Sequence, residues 1–287
     1  MSSMQELKQK MHSITVTEKI TKAMKMAATA KLRRFKNEYM NIREFFSEYY
    51  KVVGEVIAKA RYYQPPIKAK PGTLYLLINS ALGLCGAYNN NMNKMLREIL
   101  TDNDRIILLG KKGLGFWRLK GLEDQILAVK DLVDHDINPD VSLNIGSDAI
   151  KAYQNGDFER VCIVYTAFVN NLKQEPKIIQ VLPIDHKLFE NQKISQSQKL
   201  TAPIEFEPDA KEVITSIMPQ YTQVLLYGCL IESKVSEYAS RRNAMETATN
   251  NASELFANYL LEYNQLRQAS ITQEISEIIQ GSNANEG

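Results

Sequence analysis

The sequence has 287 residues, of which 44% are hydrophobic and 24% are charged, and its net charge at pH 7 is +2. This length is typical of about two domains, and the composition excludes a disordered chain and a collagen-like repeat. No stretch approaches the roughly 18 uncharged apolar residues of a membrane-spanning helix, so the sequence predicts no such helix.

The first predicted element is a long N-terminal helix. Apolar residues recur every three or four positions over most of Met4–Ala60, which is the pattern of one apolar helix face. Ser3 and Glu6 have the spacing of a capping box at its start, and Pro65-Pro66 should end it. A helix of this length would extend about 85 Å, well beyond any domain that the middle of the chain could form.

The middle of the chain, from Lys68 to Pro208, predicts an α/β domain. Short apolar runs bounded by turn residues alternate there with segments of helical spacing, which is typical of a mostly parallel sheet. The predicted strands are Leu74–Asn79, Arg105–Gly110, Val161–Phe168 and Ile178–Ile184, and the predicted helices are Asn90–Leu100 and Val141–Gln154. Because such domains often bind nucleotides, the glycines and cysteines are the first candidates for a binding or catalytic site.

Neither the glycines nor the cysteines of this domain form a recognisable active site. The sequence GKKGLG at 110–115 follows a predicted strand but matches neither GxGxxG nor GxxxxGK(S/T), so it predicts a structural turn rather than a phosphate cradle. Cys85 could be a nucleophile, but no histidine has a recognisable relation to it. Cys85, Cys162 and Cys229 are widely spaced, which predicts buried apolar side chains in a reducing compartment. The sequence predicts no cofactor and no metal site.

The C-terminal region predicts a second long helix with a strict seam. Glu207–Asp209 is typical of a helix start, and Pro219 should bend the first turns without ending the helix. From Ile217 to Leu266 the seam positions alternate in steps of four and three, which is a 3.5-residue period over seven heptads. This period imposes a left-handed supercoil and therefore predicts a partner helix. Gly281 and the polar residues after it should end the helix.

The two terminal helices are predicted to pair with each other. Residues 1–40 contain nine Lys/Arg and three Glu, whereas residues 207–287 contain five Lys/Arg and eleven Asp/Glu, so the two arms attract each other. We expect an antiparallel coiled coil standing on the middle domain, with domain boundaries of 1–64, 65–207 and 208–287. The turns beyond Leu266 would extend past the N-terminal helix and need another apolar surface.

Five distinctive segments follow one another along the whole chain. They are ITVTEKITKAMKMAATAKLRR, GLCGAYNNN, GKKG, FEPD…YGCLIESKVSEYASRRNAM and ATNNASELFANYLLEYNQLRQASITQEISEIIQG. In this order they resemble the bacterial type of γ subunit of the F-type rotary ATP synthases. The resemblance implies the α/β fold class, with a long antiparallel coiled coil of the N- and C-terminal helices and a Rossmann-like, mostly parallel α/β domain. It also implies a noncatalytic central-stalk rotor subunit, which couples rotation driven by ion flow to conformational cycling of the catalytic β subunits in an α/β hexamer.

The resemblance implies contacts for individual residues. A basic collar facing acidic loops of β would be formed by Lys19, Lys22, Met24, Lys25 and Lys31. Contact with the hexamer below the tip would be made by Arg267 and Gln268, and the tip in its apolar sleeve would be formed by Ile271, Ile275, Ile278 and Ile279. Contact at the foot would be made by Gly83, Leu84, Cys85 and Gly86. Without the resemblance, the lysines indicate only a solvated helix face.

The implied partners are the α and β subunits of the hexamer, a small ε-type stalk subunit and a membrane ring of c-type subunits. No nucleic acid or small-molecule substrate is implied, and the subunit would lie peripherally on the cytoplasmic face of a bacterial membrane. At one place the chain departs from the family, because Ala81-Leu82 stands where Asp-Arg is common. This departure motivates a second hypothesis, a paralogous rotary ATPase shaft that is not coupled to an ion-translocating ring. A third hypothesis is an enzyme whose nucleotide-binding domain has a coiled-coil tether, and nucleic-acid binding is disfavoured because the acidic arm would neutralise the basic one.

Overall fold

The computed structural model of the chain describes residues 3–59, 69–184, 206–207 and 209–285. Two long terminal helices, α1 (Met4–Lys59) and α5 (Ala210–Asn285), flank an α/β region in the sequence. The chain divides into two compact units, which are Met1–Thr29 with Arg241–Gly287 and the intervening Ala30–Ser240. We call them the stalk unit and the globular unit, and each terminal helix contributes residues to both.

The globular unit contains, within the described residues, one five-stranded sheet and three shorter α-helices. The strands are β1 (Thr73–Ile78), β2 (Arg105–Leu109), β3 (Ile126–Lys130), β4 (Arg160–Phe168) and β5 (Gln174–Leu182), and the helices are α2 (Tyr88–Ile99), α3 (Leu114–Leu119) and α4 (Pro139–Gln154). The strand order is β3-β2-β1-β4-β5, in which β5 is antiparallel to β4 and every other pair is parallel. This confirms the predicted mostly parallel α/β domain.

Two elements of this unit have no clear signal in the sequence. β3 is an edge strand of five residues that are alternately half-buried and exposed, and so lacks the continuous buried run of the central strands. α3 has six residues, which is too short for a helical period to be seen. A third element, β5, begins at Gln174 rather than at the predicted Ile178, because its polar first half lies at the other edge of the sheet, where Pro176 is tolerated.

The sheet packs against α2 and α3 through one apolar cluster. Met92 and Leu96 of α2 and Trp117 of α3 are fully buried there, together with strand residues that include Leu77 and Leu108. Burial of each side chain of this size contributes about 1.5–3 kcal/mol. This core fixes α2 directly after the loop that follows β1, and that loop contains the predicted foot residues.

Both terminal helices begin as predicted. At α1, Glu6 N donates to Ser3 Oγ (3.2 Å) and Ser3 N donates to Glu6 Oε2 (3.0 Å), which is the expected capping box. At α5, Glu212 N donates to Oδ1 of Asp209 (2.8 Å), so Asp209 is the N-cap. Pro219 lies inside α5 and does not end it.

The end of α5 corrects one prediction. Gly281 does not end the helix, which continues to Asn285. A glycine inside a helix costs only about 1 kcal/mol relative to alanine, and no proline follows it here. The predicted stop at Pro65-Pro66 and the domain boundaries at 64/65 and 207/208 involve residues outside the described ranges, so those boundaries stay predictions.

In the stalk unit α1 and α5 lie antiparallel. Side-chain contacts join them in a ladder, with Lys25–Glu246 at 2.7 Å, Thr21–Thr249 at 2.9 Å and Glu18–Ser253 at 3.1 Å. As the residue number falls along α1 it rises along α5, which confirms the predicted antiparallel pair. Every seam position from Ile217 to Leu266 is buried or half-buried, as the 3.5-residue period predicts.

The sequence GKKGLG forms the predicted structural turn after β2. Gly110 has a φ of +115°, and a Cβ there would lie 2.1 Å from the carbonyl oxygen of Asn79. A Cβ on Gly113 would lie 1.5 Å from Oδ1 of the buried Asn79 side chain. Lys112 N also donates to Ser80 O (3.1 Å). The turn therefore packs against the end of β1 at a distance that only glycine allows.

Replacing Gly113 with Ala should destabilise the protein, because the new methyl group would overlap the Asn79 amide. Overpacking of this kind costs about 1–3 kcal/mol, and we expect the upper end of that range. Gly115→Ala is the matched control, since a Cβ at Gly115 meets no atom of the described residues within 4 Å and alanine is the better helix former in α3. Urea unfolding of both variants measures the difference, and equal free energies of unfolding would contradict the prediction.

Candidate partner-binding surfaces

The predicted basic collar begins in the stalk unit on α1. Lys19 and Lys22 are exposed there, whereas Met24 is half-buried. Lys25 is also half-buried, and its ammonium contacts the Glu246 carboxylate at 2.7 Å. The exposed positive charge of this part of the collar is therefore concentrated at Lys19 and Lys22, and the charge of Lys25 is partly neutralised within the chain.

Towards the start of α1, lysines contact aromatic rings rather than carboxylates. Lys8 lies over the ring of Tyr263 and Lys10 over the ring of Tyr259, each with its ammonium 5.5 Å from the ring centroid. Such contacts contribute about 0.5–1 kcal/mol at exposed sites. The attraction predicted between the two arms is thus shared between an ion pair at Lys25 and cation–π contacts further along.

The C-terminal turns of α5 extend past the start of α1. Because Lys8 lies over Tyr263 and the pair is antiparallel, Met4 lies level with Arg267. Arg267 and Gln268 are exposed. The apolar side chains beyond them are also exposed, with 47% for Ile271, 52% for Ile275, 71% for Ile278 and 55% for Ile279. An apolar helix face with this exposure is typical of a surface that another molecule covers.

In the globular unit the predicted foot residues lie in the β1–α2 loop (Asn79–Ala87). Leu82 and Leu84 are about 60% exposed, whereas Cys85 between Leu84 and Gly86 is buried. Leu84 has a φ of 62° and, among the described residues, is the one non-glycine residue with a positive φ. This conformation costs a residue with a Cβ about 1–2 kcal/mol, so the loop presents an exposed leucine from a strained backbone.

Side-chain hydrogen bonds hold this loop in place. Ser80 N donates to Asn89 Oδ1 (2.9 Å), and Asn89 Nδ2 donates to Ser80 Oγ (2.7 Å). Ser80 Oγ in turn donates to Leu82 O (2.8 Å). On α5, Ser240 Oγ donates to Cys85 O (2.7 Å). The loop is therefore fixed both to α2 and to α5, and the buried thiol is part of its packing.

A charge cluster lies beside the loop and contains Lys31, the last predicted collar residue. Lys31 Nζ contacts Asp134 Oδ2 (3.0 Å), and Tyr238 OH donates to the same oxygen (2.6 Å). Lys234, which is 4% exposed, contacts Glu237 at 2.9 Å and Asp134 at 3.6 Å. Burial opposes ionisation of Asp134, but the hydrogen bonds from Tyr238 and Lys31 and the charge of Lys234 outweigh it, so the pKa of Asp134 is lowered.

The cluster and the loop share a cavity of about 200 Å³, lined by residues that include Lys31, Asp134, Ala81 and Leu82. The family resemblance implies a contact with the hexamer for Lys31 and a contact at the foot for the neighbouring loop. The structure brings Lys31 and the loop together around this one cavity. The buried ions Lys234 and Glu237 were missed because an acid three residues after a lysine is usually a solvated helix pair.

Helix α5 occupies the crevice where open α/β sheets usually bind their ligands. β2 and β3 extend the sheet on one side of β1, and β4 and β5 extend it on the other, so the crevice lies beyond the carboxyl ends of β1 and β4. There, Thr166 N donates to Ser233 Oγ (3.3 Å) and Phe168 N donates to Glu232 Oε1 (3.0 Å). The part of the sheet that would hold a nucleotide is filled by the chain's own helix.

The three cysteines are part of the packed interior. Cys85, Cys162 and Cys229 are free and buried, and burial raises the pKa of the Cys162 thiol to about 11. Across the described ranges, no three His, Cys, Asp or Glu side chains are grouped so as to hold a metal ion. In the same ranges, no helix combines the length and the hydropathy needed to cross a bilayer.

Comparison with known proteins identifies what shares this architecture. A family model described as ATP synthase matches residues 3–284. A protein named ATP synthase gamma chain from Mycoplasmoides gallisepticum is 45% identical over 98% of this chain and 99% of its own length. Another of that name from Mycoplasma genitalium is 41% identical over 99% of this chain and 100% of its own length.

Two solved structures share the fold at low sequence identity. The rotor of the Euglena gracilis mitochondrial ATP synthase aligns with a TM-score of 0.70 at 20% identity, over 93% of this chain and 98% of that one. The central stalk of the Tetrahymena thermophila mitochondrial ATP synthase aligns with a TM-score of 0.61 at 24% identity, over 80% of this chain and 99% of that one. The fold class predicted from the sequence is therefore confirmed.

Replacing Asp134 with Asn should lower the free energy of unfolding at pH 7 by about 1–3 kcal/mol, because buried Lys234 loses a charged partner. The folded-state pKa of Asp134 lies below its usual value of 3.8. The contribution of the Asp134 carboxylate to the free energy of unfolding is therefore present above pH 3.8 and is lost as the pH falls through the folded-state pKa. Asp148→Asn is the matched control, since Asp148 pairs with Lys130 at an exposed site, where ion pairs contribute little. Denaturant unfolding between pH 7 and pH 3 measures both, and a loss that does not shrink towards pH 3 would count against the ionic role.

Proposed function

The chain belongs to the ATP synthase γ-chain family, and from this premise we propose how its surfaces contact the rest of the enzyme. As a member of that family it is the noncatalytic rotor subunit of the central stalk of an F-type ATP synthase. We place the stalk unit inside a hexamer of α and β subunits. We assign the globular unit to a membrane ring of c-type subunits and a small ε-type subunit, on the cytoplasmic face of a bacterial membrane.

The observation that best supports this assignment is the uncovered end of α5. The seam with α1 ends at Leu266, and the turns after it expose isoleucines without a partner helix in the described chain. An apolar sleeve in the hexamer would cover these side chains. Since apolar burial is not directional, the tip can turn in such a sleeve without breaking a fixed set of bonds.

The stalk unit also has the asymmetry that a rotor needs. A rotating partner changes the affinity of a catalytic site only if its contacts with that site differ between conformations. On α1 the exposed side chains include Lys19 and Lys22, whereas on α5 they include Glu254 and Glu262. We propose that a β subunit with acidic loops binds the first side more tightly than the second, so that each third of the hexamer experiences a different interaction as the stalk turns.

The β1–α2 loop fits a contact with the hexamer better than one with the ring. Ser240, which holds the loop, is followed directly by the first stalk-unit residue of α5, and Lys31 follows the last stalk-unit residue of α1 by two positions. The loop thus lies beside the residues of both long helices that adjoin the stalk unit in sequence. We therefore assign Gly83, Leu84, Cys85 and Gly86 to the hexamer side instead of the foot.

Replacing Arg267 and Gln268 with Ala should weaken coupling between the stalk and the hexamer while leaving the isolated subunit folded, because both side chains are exposed. The loss of contacts to charged partners at two positions should lower ATP-driven torque at least two-fold, since each such hydrogen bond contributes about 1.5–3 kcal/mol. Torque in the reconstituted complex and thermal unfolding of the free subunit are the two measurements. Unchanged torque and ATPase activity would remove both residues from the site.

Pull-down of the tagged chain from its own cells in mild detergent tests the function and the loop together. The wild-type chain should recover α, β and ring subunits, and recovery without any ring subunit would favour the second hypothesis of an uncoupled shaft. The variant Leu82→Ser/Leu84→Gly should retain the ring but lose α and β at least ten-fold, because burial of one leucine contributes about 1.5 kcal/mol or more. Leu119→Ser, which changes an 87% exposed leucine on α3, is the matched control. Loss of the ring subunits with retention of α and β would instead assign the loop to the contact at the foot.

A further inference from the structure

One segment of α5, Glu232–Ser240, is held to the globular unit by directional bonds on two of its sides. The first side faces the carboxyl ends of β1 and β4 and the β1–α2 loop, and the second faces the charge cluster around Asp134. We call this segment with its bonded neighbours the α5 joint. All of its residues belong to the globular unit, and the helix continues from it directly into the stalk unit.

The bonds on the first side exist because β1 is shorter than β4. The parallel pairing of the two strands reaches Leu77 opposite Val164, and β1 ends at Ile78. The N–H groups of Thr166 and Phe168 lie beyond that end and have no strand to bind. Ser233 Oγ accepts from the first (3.3 Å) and Glu232 Oε1 from the second (3.0 Å), so side chains of α5 take the place of the missing strand.

Two more bonds fix the same side of the helix to the element after β1. Tyr88 at the start of α2 donates its hydroxyl proton to Ser233 O (3.2 Å). About two turns further along, Ser240 Oγ donates to Cys85 O (2.7 Å). Tyr88 and Cys85 are both buried, so these bonds are shielded from competing water.

The second side is fixed by charge. Lys234 and Tyr238 both contact the Asp134 carboxylate, and Glu237 contacts Lys234. Lys234 and Glu237 are each under 5% exposed. Breaking such a buried pair leaves an uncompensated charge, which makes the contact far more resistant to displacement than an exposed ion pair.

We propose that the α5 joint is the torque-bearing attachment between the globular unit and the stalk helix, with Ser233, Tyr88 and Ser240 as positioning residues. Interdigitated apolar packing holds the helix against the sheet, and directional bonds add a dependence on the angle of the helix that apolar burial by itself lacks. Hydrogen bonds weaken steeply when their angle changes. Bonds on two sides of one segment therefore fix the rotational position of α5 relative to the sheet.

The test compares two serines of the same helix. Ser233 and Ser236 are equally buried, at 1% and 0%, but Ser236 Oγ has no hydrogen-bond partner among the residues that the structure describes. Ser233→Ala combined with Tyr88→Phe removes two of the four hydrogen bonds on the first side, whereas Ser236→Ala removes the same hydroxyl group without removing a bond. Each variant is assembled into the full enzyme in lipid vesicles. Rotation of the membrane ring per ATP hydrolysed is followed with a probe on the ring, alongside the ATPase rate.

We expect the Ser233→Ala/Tyr88→Phe enzyme to hydrolyse ATP within two-fold of wild type while ring rotation per ATP falls about two-fold, because the two lost hydrogen bonds together contribute more than the thermal energy and their loss lets α5 slip against the sheet under load. Ser236→Ala should match wild type in both. Ser240→Ala, which removes the bond to Cys85 O, should show a smaller loss in the same direction and keeps the comparison available if the double variant does not assemble. Ring rotation per ATP equal to wild type in both the Ser233→Ala/Tyr88→Phe and the Ser240→Ala enzymes would overturn the proposed role of the α5 joint.

The proposal rests on the rotor function, and the same experiment separates the two. If the wild-type enzyme hydrolyses ATP without turning the ring, the rotor function fails and the joint fails with it. If the wild type turns the ring and all serine variants do so equally, only the joint fails. A purely structural role for Ser233 would lower assembly or thermal stability but leave rotation per ATP unchanged in the enzyme that does assemble.

Discussion

The structure depends on one constraint, which is that the apolar seam of α5 can be buried only against another long helix. A 3.5-residue period over seven heptads does not fit the surface of a sheet, and the α/β region is too short to cover it. The N-terminal helix is the part of the chain with matching length and an apolar face. The two ends of the sequence therefore pair with each other. In chain order, the α/β region is an insertion between these two helices.

The insertion has the architecture of a ligand-binding sheet without its vacant crevice. In open α/β sheets the carboxyl ends of the strands on either side of the reversal leave unpaired backbone groups, which usually bind a phosphate or a nucleotide. Here Thr166 and Phe168 present such N–H groups, and α5 satisfies them with Ser233 and Glu232. A site that would be catalytic in another protein is thereby converted into an attachment, which agrees with a noncatalytic subunit.

How much the sequence predicts depends on whether the cause of a feature is local. The capping box at Ser3 and the seam of α5 follow from spacing along one helix, and both are confirmed. The burial of Lys234 depends on Asp134, which is distant in sequence, and no spacing reveals it. The strained backbone of Leu84 likewise depends on bonds from other elements, so the exposed loop was recognised only by its family resemblance. The sequence predicts that α5 ends at Gly281, and this is wrong because a glycine inside a helix costs only about 1 kcal/mol relative to alanine.

Two segments of α5, the tip and Glu232–Ser240, differ in the chemistry of their contacts. At the tip one face of the helix exposes four isoleucines, beside polar and charged residues that include Glu274 and Glu277, and the contact of this apolar face has nearly the same free energy at every angle of rotation. At Glu232–Ser240 the helix is held by hydrogen bonds and buried ions, whose energy depends strongly on angle and distance. Under the proposed rotor function, the helix turns freely at its tip and transmits a turn from Glu232–Ser240, and it needs this difference between the two segments. On that proposal, the distribution of apolar and polar contacts along a single helix gives the subunit a bearing at the tip and a fixed attachment in the globular unit.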